Sequence, residues 1–291
     1  HRRGDAGIEM DQCQSPRGRM RPSVGRFGVT AFVTDRDGFG TSNLDGWKMD
    51  WKRLTAPAWM IMVVAAAGQL IGCASTGGDS RGVSAVMTAS KQRAMTPQAV
   101  LAELESGNQR FVDGEGTRYN WLEQAERTAS GQYPKAIVLS CLDSRVPPEV
   151  IFDQGIGDIF VGRVAGNFEN QDQLGSMEFG AKVAGAKVIV VMGHSSCGAV
   201  KGAIDNAELG NLTATLANIE PAIASVDPGP GGRTSSNTSY VDRVIEANVR
   251  QTMRDIMDRS PVLAEMVRAG ELGLVGAVYD LETGRVRWLE S

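Results

Sequence analysis

The sequence predicts an α/β domain whose mainly parallel central β-sheet is flanked by α-helices. Three short apolar runs are typical of buried strands: residues 136–139, 159–164 and 188–192. Between the last two runs, apolar side chains recur at helical spacing, at Leu174, Met177 and Ala181. Strands that alternate with helices usually form a parallel sheet that is covered on both sides. We therefore expect a layered domain with the strands at its centre.

The first element of this domain is predicted at Thr96 and Pro97. An N-cap residue followed by proline in the first turn is a typical helix start. The residues that follow place Val100, Leu101 and Leu104 on one narrow apolar face. We expect an N-terminal helical arm here and a folded domain over residues 96–291.

The second half of the chain predicts two longer helices and a closing hairpin. The helices are expected over residues 209–224 and 240–257, separated by a loop rich in proline, glycine and serine. Two apolar runs, residues 274–279 and 286–289, flank a Thr-Gly pair and predict the hairpin.

Composition limits the classes of protein that fit this sequence. The 291 residues carry a formal net charge of -4 and are 42% hydrophobic, which is enough for one domain of roughly 200 residues with a sizeable core. Lysine and arginine are scattered, without long basic runs or interleaved aromatic residues. We therefore do not expect a nucleic-acid partner.

The N-terminal part of the sequence is typical of a targeting signal. Basic residues precede ten apolar residues, 58–67, a run too short to span a bilayer but typical of a secretory signal. The following Leu-Ile-Gly-Cys sequence, which ends at Cys73, resembles a bacterial lipoprotein cleavage box. We expect an upstream segment outside the mature protein (1–48), a signal peptide (49–72) and a flexible tether (73–95). The alternative is a buried helix that ends at a loop with an incidental cysteine.

The resemblance to a lipoprotein implies a location as well. It places lipid on Cys73 and tethers the mature protein outside the cytoplasmic membrane. Ala74 and Ser75 stand where many inner-membrane lipoproteins carry an aspartate. We therefore expect a periplasmic protein that is lipid-anchored to the outer membrane.

Two polar motifs follow predicted strands. Cys141 comes directly after the first apolar run, and His194 and Cys197 follow the third, with two residues between them. Ligands gather at the carboxyl ends of parallel strands. Two cysteines and one histidine form a zinc set with one position open, as in catalytic sites. Cys141 alone would be read as a small buried apolar residue, but the combination favours a zinc site.

An acid and a base follow the first cysteine at intervals of two residues. Asp143 can orient a zinc-bound hydroxide towards a substrate. Arg145 has a planar fork that can hold Asp143 ionised and away from the metal. The alternative is that the two residues form a solvated surface pair.

Four stretches together resemble a β-class carbonic anhydrase: CLDSRVPPE at 141–149, GDIFVGRVAGN at 157–167, HSSCGAVKGA at 194–203 and VYDLETGRV at 278–286. The resemblance implies zinc on Cys141, His194 and Cys197. It implies the reversible hydration of carbon dioxide to bicarbonate and a proton by zinc-bound hydroxide. It also implies that Asp143 pairs with Arg145 in the active form and can occupy the fourth zinc position in a resting form.

The resemblance extends to the substrate cleft and to assembly. It implies a homodimer at least, in which Gln132 hydrogen-bonds substrate in the neighbouring subunit. It assigns the backbone N–H of Gly198 to substrate, and it places three side chains at the apolar end of the cleft: Phe160, Ala165 and Phe179. Val138 stands where some members carry a tryptophan of a bicarbonate inhibitory site, so we do not expect that regulation.

Two rival functions stay open at this point. One is the hydrolysis of carbonyl sulfide or carbon disulfide on the same scaffold, because the chemistry of attack is shared. The other is a non-enzymatic thiol protein, in which Cys141 and Cys197 form a disulfide outside the cytoplasm.

Overall fold

A computed structural model of the chain describes residues 82–290. The predicted segments 1–48 and 49–72, together with Cys73 and the first residues of the tether, lie outside this range. Within residues 82–290, no helix has both the length and the apolar character needed to span a bilayer.

The described part of the chain folds around a five-stranded sheet. Its strands are β1 (Ala136–Ser140), β2 (Ile159–Arg163), β3 (Val188–His194), β4 (Gly273–Tyr279) and β5 (Val286–Trp288). Their order in the sheet is β2-β1-β3-β4-β5. The first three pairings are parallel and β4 pairs with β5 in antiparallel fashion. The predicted strands and the closing hairpin are confirmed.

Helices connect and cover these strands. They are α1 (Ala89–Ala94), α2 (Pro97–Asp113), α3 (Trp121–Thr128), α4 (Pro148–Ile151), α5 (Gln171–Glu178), α6 (Gly198–Ile204), α7 (Gly210–Ala217), α8 (Glu220–Ala224), α9 (Thr238–Arg259) and α10 (Pro261–Arg268). A π-helical turn, Phe179–Val183, extends α5. Thr96 caps α2 with its side chain and Pro97 lies in the first turn, as the sequence predicts.

The sheet separates two apolar clusters, one on each face. On one face, Ile137 and Leu139 of β1 pack with residues of α5, α9 and α10. On the other face, Ala136 and Val138 pack with Val100 and other residues of α2 and α4. Every residue of β1 and β3 is buried. This burial on both faces explains why these strands are continuous apolar runs in the sequence.

The predicted flexible tether is wrong for its C-terminal part. The backbone of Val83 exchanges hydrogen bonds with the α2–α3 connection, since its N–H donates to Arg118 and its carbonyl accepts from Asn120, at 2.7 and 2.9 Å. Gln92 of α1 is buried and donates to the carbonyls of Pro134 and Ala184. These contacts tie Val83 and Gln92 to distant segments of the domain.

The helix predicted over residues 209–224 is broken into α7 and α8. The side chain of Asn218 turns back and donates to the carbonyls of Ala214 and Thr215. Pro221 lies in the first turn of α8 and has no N–H to continue the helical ladder. The sequence analysis also missed α10, although Ser260 and Pro261 begin it as Thr96 and Pro97 begin α2.

Asp153 joins three neighbouring segments of the fold. Its backbone is left-handed, with φ 48°. Its carboxylate accepts from Arg110 Nε at 2.5 Å, and from the backbone N–H and hydroxyl of Thr117 at 2.8 and 2.7 Å. Burial by itself raises the pKa of Asp153, but the hydrogen bonds from Arg110 and Thr117 outweigh it and hold the pKa below its usual value.

We expect Asp153→Asn to destabilise the domain in a pH-dependent way. Asparagine tolerates the left-handed backbone but cannot carry the charge. Because the folded-state pKa of Asp153 is lowered, its stabilisation is present above the unfolded value of about 3.9 and is lost as the pH falls through the lower folded value. Urea unfolding should show a loss of about 1–2 kcal/mol at pH 7 that shrinks towards pH 3. An equal loss at both pH values would contradict the charge-based explanation.

Candidate metal centre

Three buried side chains converge at the carboxyl end of the sheet. Cys141 follows β1, His194 ends β3, and Cys197 is the residue before α6. Because β1 and β3 are neighbours, with Ser140 opposite Met192, the chain leaves both strands at the same edge. One ligand atom of each residue lies within 4.8 Å of the others. The convergence predicted from the sequence is confirmed.

The chemistry of this set fits a metal ion. The two sulfur atoms are 3.9 Å apart and the cysteines are not linked. His194 Nδ1 lies 2.9 Å from the carbonyl oxygen of Ser195. This oxygen can only accept a hydrogen bond, so Nδ1 carries the hydrogen and Nε2 is the nitrogen with a lone pair. This Nε2 is buried and has no hydrogen-bond partner among the described residues. A buried unsatisfied nitrogen beside two thiols is a donor set for a soft or borderline cation.

The two thiols have unequal affinities for their protons. A hydrogen bond from Cys197 lowers the pKa of Cys141, because it stabilises the thiolate. The same hydrogen bond, together with burial and the charge on Cys141, raises the pKa of Cys197. The pair therefore releases one proton readily and retains the second. A divalent cation supplies the positive charge that two adjacent thiolates require.

Asp143 and Arg145 form a two-pronged ion pair beside this set. Arg145 Nη2 donates to Asp143 Oδ2 at 2.7 Å and Arg145 Nε donates to Oδ1 at 3.0 Å. The backbone N–H of Arg145 also donates to Oδ1. These bonds hold the pKa of Asp143 well below its usual range. The carboxylate is therefore ionised, and its Oδ2 lies 3.9 Å from His194 Nε2.

Neighbouring strands brace the segments that carry the ligands. Arg163, at the end of β2, donates to the backbone carbonyls of Cys141 and Asp143. On the other side, the backbone N–H of Leu281 donates to the hydroxyl of Ser195 at 2.9 Å. The sequence analysis assigned no role to Arg163. Its only sequence signal is a basic residue at the end of an apolar run.

The predicted cleft residues are only partly brought together. Phe160 and Phe179 have ring centroids 6.3 Å apart and line a cavity of about 820 Å³ that Arg163 also lines. Ala165 is not among the residues that line this cavity; it precedes Gly166 in the loop after β2.

The two other predicted substrate residues lie at opposite ends of the sheet. Gly198 is exposed and begins α6 directly after Cys197. Gln132 is exposed in the loop before β1, whereas Cys141 follows this strand of five residues, which spans about 16 Å. The structure therefore does not bring Gln132 to the metal centre of its own chain.

Comparisons with known proteins agree with this geometry. A family model described as carbonic anhydrase matches residues 136–286. The chain is 36% identical over 190 residues to carbonic anhydrase 2 of Mycobacterium tuberculosis, an alignment that covers 65% of this chain and 91% of the relative. The chain belongs to the carbonic anhydrase family.

Solved carbonic anhydrase structures share the fold. The β-carbonic anhydrase of Coccomyxa has a TM-score of 0.51 at 23% identity, over 66% of this chain and 82% of that one. One of two tetrameric β-carbonic anhydrases of Sordaria macrospora has a TM-score of 0.50 at 24% identity, over 57% of this chain and 85% of that one. The predicted β-class fold, a mainly parallel sheet flanked by helices, is confirmed.

We expect His194→Ala to lose its metal. The substitution removes one of three protein ligands from a buried site, and metal affinity depends on the complete set. Elemental analysis of the purified unmodified chain should give one zinc per chain, and the variant should fall far below this value. Ser144→Ala, an exposed position in the same motif as Asp143, serves as the control and should keep its zinc. Stoichiometric zinc in the folded His194→Ala protein would rule out His194 as a ligand.

Proposed function

We propose that this chain catalyses the zinc-dependent, reversible hydration of carbon dioxide to bicarbonate and a proton. The observation that carries the proposal is the buried Cys141–His194–Cys197 set with the Asp143 carboxylate beside it. Three protein ligands leave one coordination position for a reacting group, which is the arrangement of a catalytic site. Membership of the carbonic anhydrase family supports the choice of reaction.

Cys141, His194 and Cys197 would hold the zinc. When bound, zinc acts as a Lewis acid that lowers the pKa of a water in its open position and so provides a nucleophile near neutral pH. The hydrogen bond between His194 Nδ1 and the Ser195 carbonyl fixes the ring orientation and keeps Nε2 available.

Asp143 would orient the reacting group, and Arg145 would control Asp143. The ionised carboxylate of Asp143 can accept a hydrogen bond from the reacting group. The planar guanidinium of Arg145 holds both of its oxygens. The carboxylate is also close enough to the ligand set to enter the open position if it were released. Arg145 therefore keeps Asp143 in its orienting position and out of the blocking one.

Carbon dioxide is apolar, and Phe160 and Phe179 would form the apolar end of its cleft. The cavity beside the two rings is lined neither by the three candidate ligands nor by Asp143. Gly198 would present its backbone N–H to a substrate oxygen at the start of α6, and Ala165 would line the apolar end of the cleft with the two phenylalanines. Gln132 would complete the site of a neighbouring subunit, since it lies at the opposite end of β1 from its own metal centre. The active form in this proposal is a homodimer or a larger homo-oligomer.

The proposed location is the periplasm, with a lipid on Cys73 as the only membrane attachment. The support is the sequence alone: a basic segment, ten apolar residues and a small residue directly before the cysteine. The anchor would leave the catalytic domain exposed to the aqueous compartment in which it supplies bicarbonate or protons.

Arg145→Ala tests the catalytic proposal. We expect the variant to keep its zinc but to lose turnover by about 10–100-fold, because Asp143 is freed to block the open position. Arg145→Lys keeps the charge but lacks the planar fork, so it should recover only part of the activity. Stopped-flow assays of carbon dioxide hydration measure turnover, and elemental analysis measures zinc. Full turnover in Arg145→Ala would remove the proposed control of Asp143, and no turnover in the zinc-loaded unmodified chain would overturn the reaction.

Cys73→Ser tests the proposed location. Metabolic labelling with a radioactive or clickable fatty acid should mark the full-length chain expressed in a bacterial host and should be abolished in the variant. Cys141→Ser, which changes a cysteine of the metal centre, is the matched control and should remain labelled. Labelling that persists in Cys73→Ser would place the lipid elsewhere.

A further inference from the structure

We propose that Asn248, on helix α9, is a positioning residue for the metal centre. It holds the Gly166 segment, whose backbone N–H is donated to the sulfur of Cys141. The inference rests on the proposed function in one respect, since it takes Cys141 as a metal ligand.

Two hydrogen bonds connect Asn248 to the ligand. Asn248 Nδ2 donates to the carbonyl oxygen of Gly166 at 2.7 Å. The backbone N–H of Gly166 lies 3.5 Å from Cys141 Sγ and donates to it. Asn248 is 2% exposed, so its amide is withdrawn from solvent. One buried side chain on a distant helix therefore reaches the ligand through a single residue.

The hydrogen bond to Gly166 explains why a polar side chain is buried at position 248. The buried face of α9 is otherwise mainly apolar, with Val244, Ile245 and Val249 beside Asn248. A buried amide is unfavourable unless it is hydrogen-bonded. The helix also packs closely against β3, since a Cβ added at Gly193 would lie 2.9 Å from Val249 Cγ2. Asn248 is thus held next to the strand that ends in His194.

The segment that Asn248 holds is unable to relax freely. Gly166 and Asn167 both have positive φ angles, 89° and 43°. Asparagine adopts a left-handed backbone more readily than most non-glycine residues, so the turn at 166 and 167 is formed by the two residue types that suit it. A Cβ added at Gly166 would lie 2.7 Å from Cδ1 of the buried Ile219, and the φ of 89° would strain any other residue there. The bond from Asn248 is a restraint that keeps this conformation in place.

The bond to sulfur has a chemical consequence for the ligand. An N–H donated to a thiolate withdraws negative charge from the sulfur, so the sulfur donates less charge to a bound cation. The same bond fixes the direction in which the sulfur points. Loss of outer hydrogen bonds of this kind typically weakens metal binding or activity by about 10–100-fold. Asn248 is therefore expected to tune the metal centre without touching it.

Asn248→Leu tests the inference, with Thr252→Val as its matched control. Leucine branches at Cγ as asparagine does, but it is larger and has no donor. Thr252 is buried on the same helix, one turn further on. We expect Asn248→Leu to bind zinc about 10-fold more weakly in competition with a chelator, because the loss of the fixed sulfur direction outweighs the greater charge that the sulfur then donates. Thr252→Val should bind zinc like the unmodified chain. With cobalt in place of zinc, the sulfur-to-metal absorption of Asn248→Leu should move to longer wavelength, because the thiolate gives up its electron more easily.

The outcomes separate this inference from the proposed function. An unmodified chain that holds no zinc would overturn the function, whereas zinc affinity and a cobalt spectrum unchanged in Asn248→Leu would overturn only the role of Asn248. If the leucine variant does not fold, Asn248→Ala removes the donor without adding volume, and the same two readouts apply. In the unmodified chain loaded with ¹¹³Cd, a scalar coupling between the metal and the Gly166 amide proton should be observed. Its absence would remove the link to sulfur whether or not either variant folds.

Discussion

The parallel pairing of β1 with β3 is the constraint on which the rest of this structure depends. Cys141 and His194 meet because both strands end at one edge of the sheet, with Ser140 opposite Met192. A slip of one residue would shift the strands by about 3.3 Å and turn each side chain to the other face. Both strands are buried, so their apolar side chains specify the register. The packing of the core thus sets the geometry of the metal centre.

The metal centre is held from several directions. Arg163 comes from β2, Gly166 from the loop after it, and Leu281 from the hairpin after β4. Each contributes a bond to the segment that carries a candidate ligand, so the protein itself restrains the positions of these side chains. Such preorganisation limits the reorganisation that metal binding requires. It also links the stability of the sheet to the chemistry at its edge.

Asp143 and Asp153 are both paired with an arginine, but we assign them different roles. Asp143 and Asp153 each accept hydrogen bonds from an arginine that hold the pKa of the carboxyl below its usual value. Asp153 is buried and joins segments of the fold, so its charge contributes to stability. Asp143 lies beside buried ligands and its arginine is exposed, so its ion pair can be broken at little structural cost. Position relative to the metal centre, and not the pKa itself, separates the two roles.

The sequence by itself determined the candidate ligand set and the five strands. Cys141 and His194 lie at the ends of apolar runs, and Cys197 lies close to His194 in the chain. The sequence therefore predicts that the three side chains converge. The start of α2 was predicted for the same reason, since a cap and a proline act within one turn. No local pattern reports the approach of Phe160 to Phe179, because the first lies in β2 and the second follows α5.

Only the tertiary structure decided the contacts between distant segments. The bond from Asn248 to Gly166 joins residues 82 positions apart, and those of Gln92 hold a segment that composition alone marks as a tether. The role of Arg163 depends on the order of strands in the sheet, which places β2 beside β1. Periodicity and capping report interactions within a few residues, whereas these bonds form only after the chain has folded back on itself. A sequence pattern does not give the distance between such residues. That distance is set when the chain packs around the sheet.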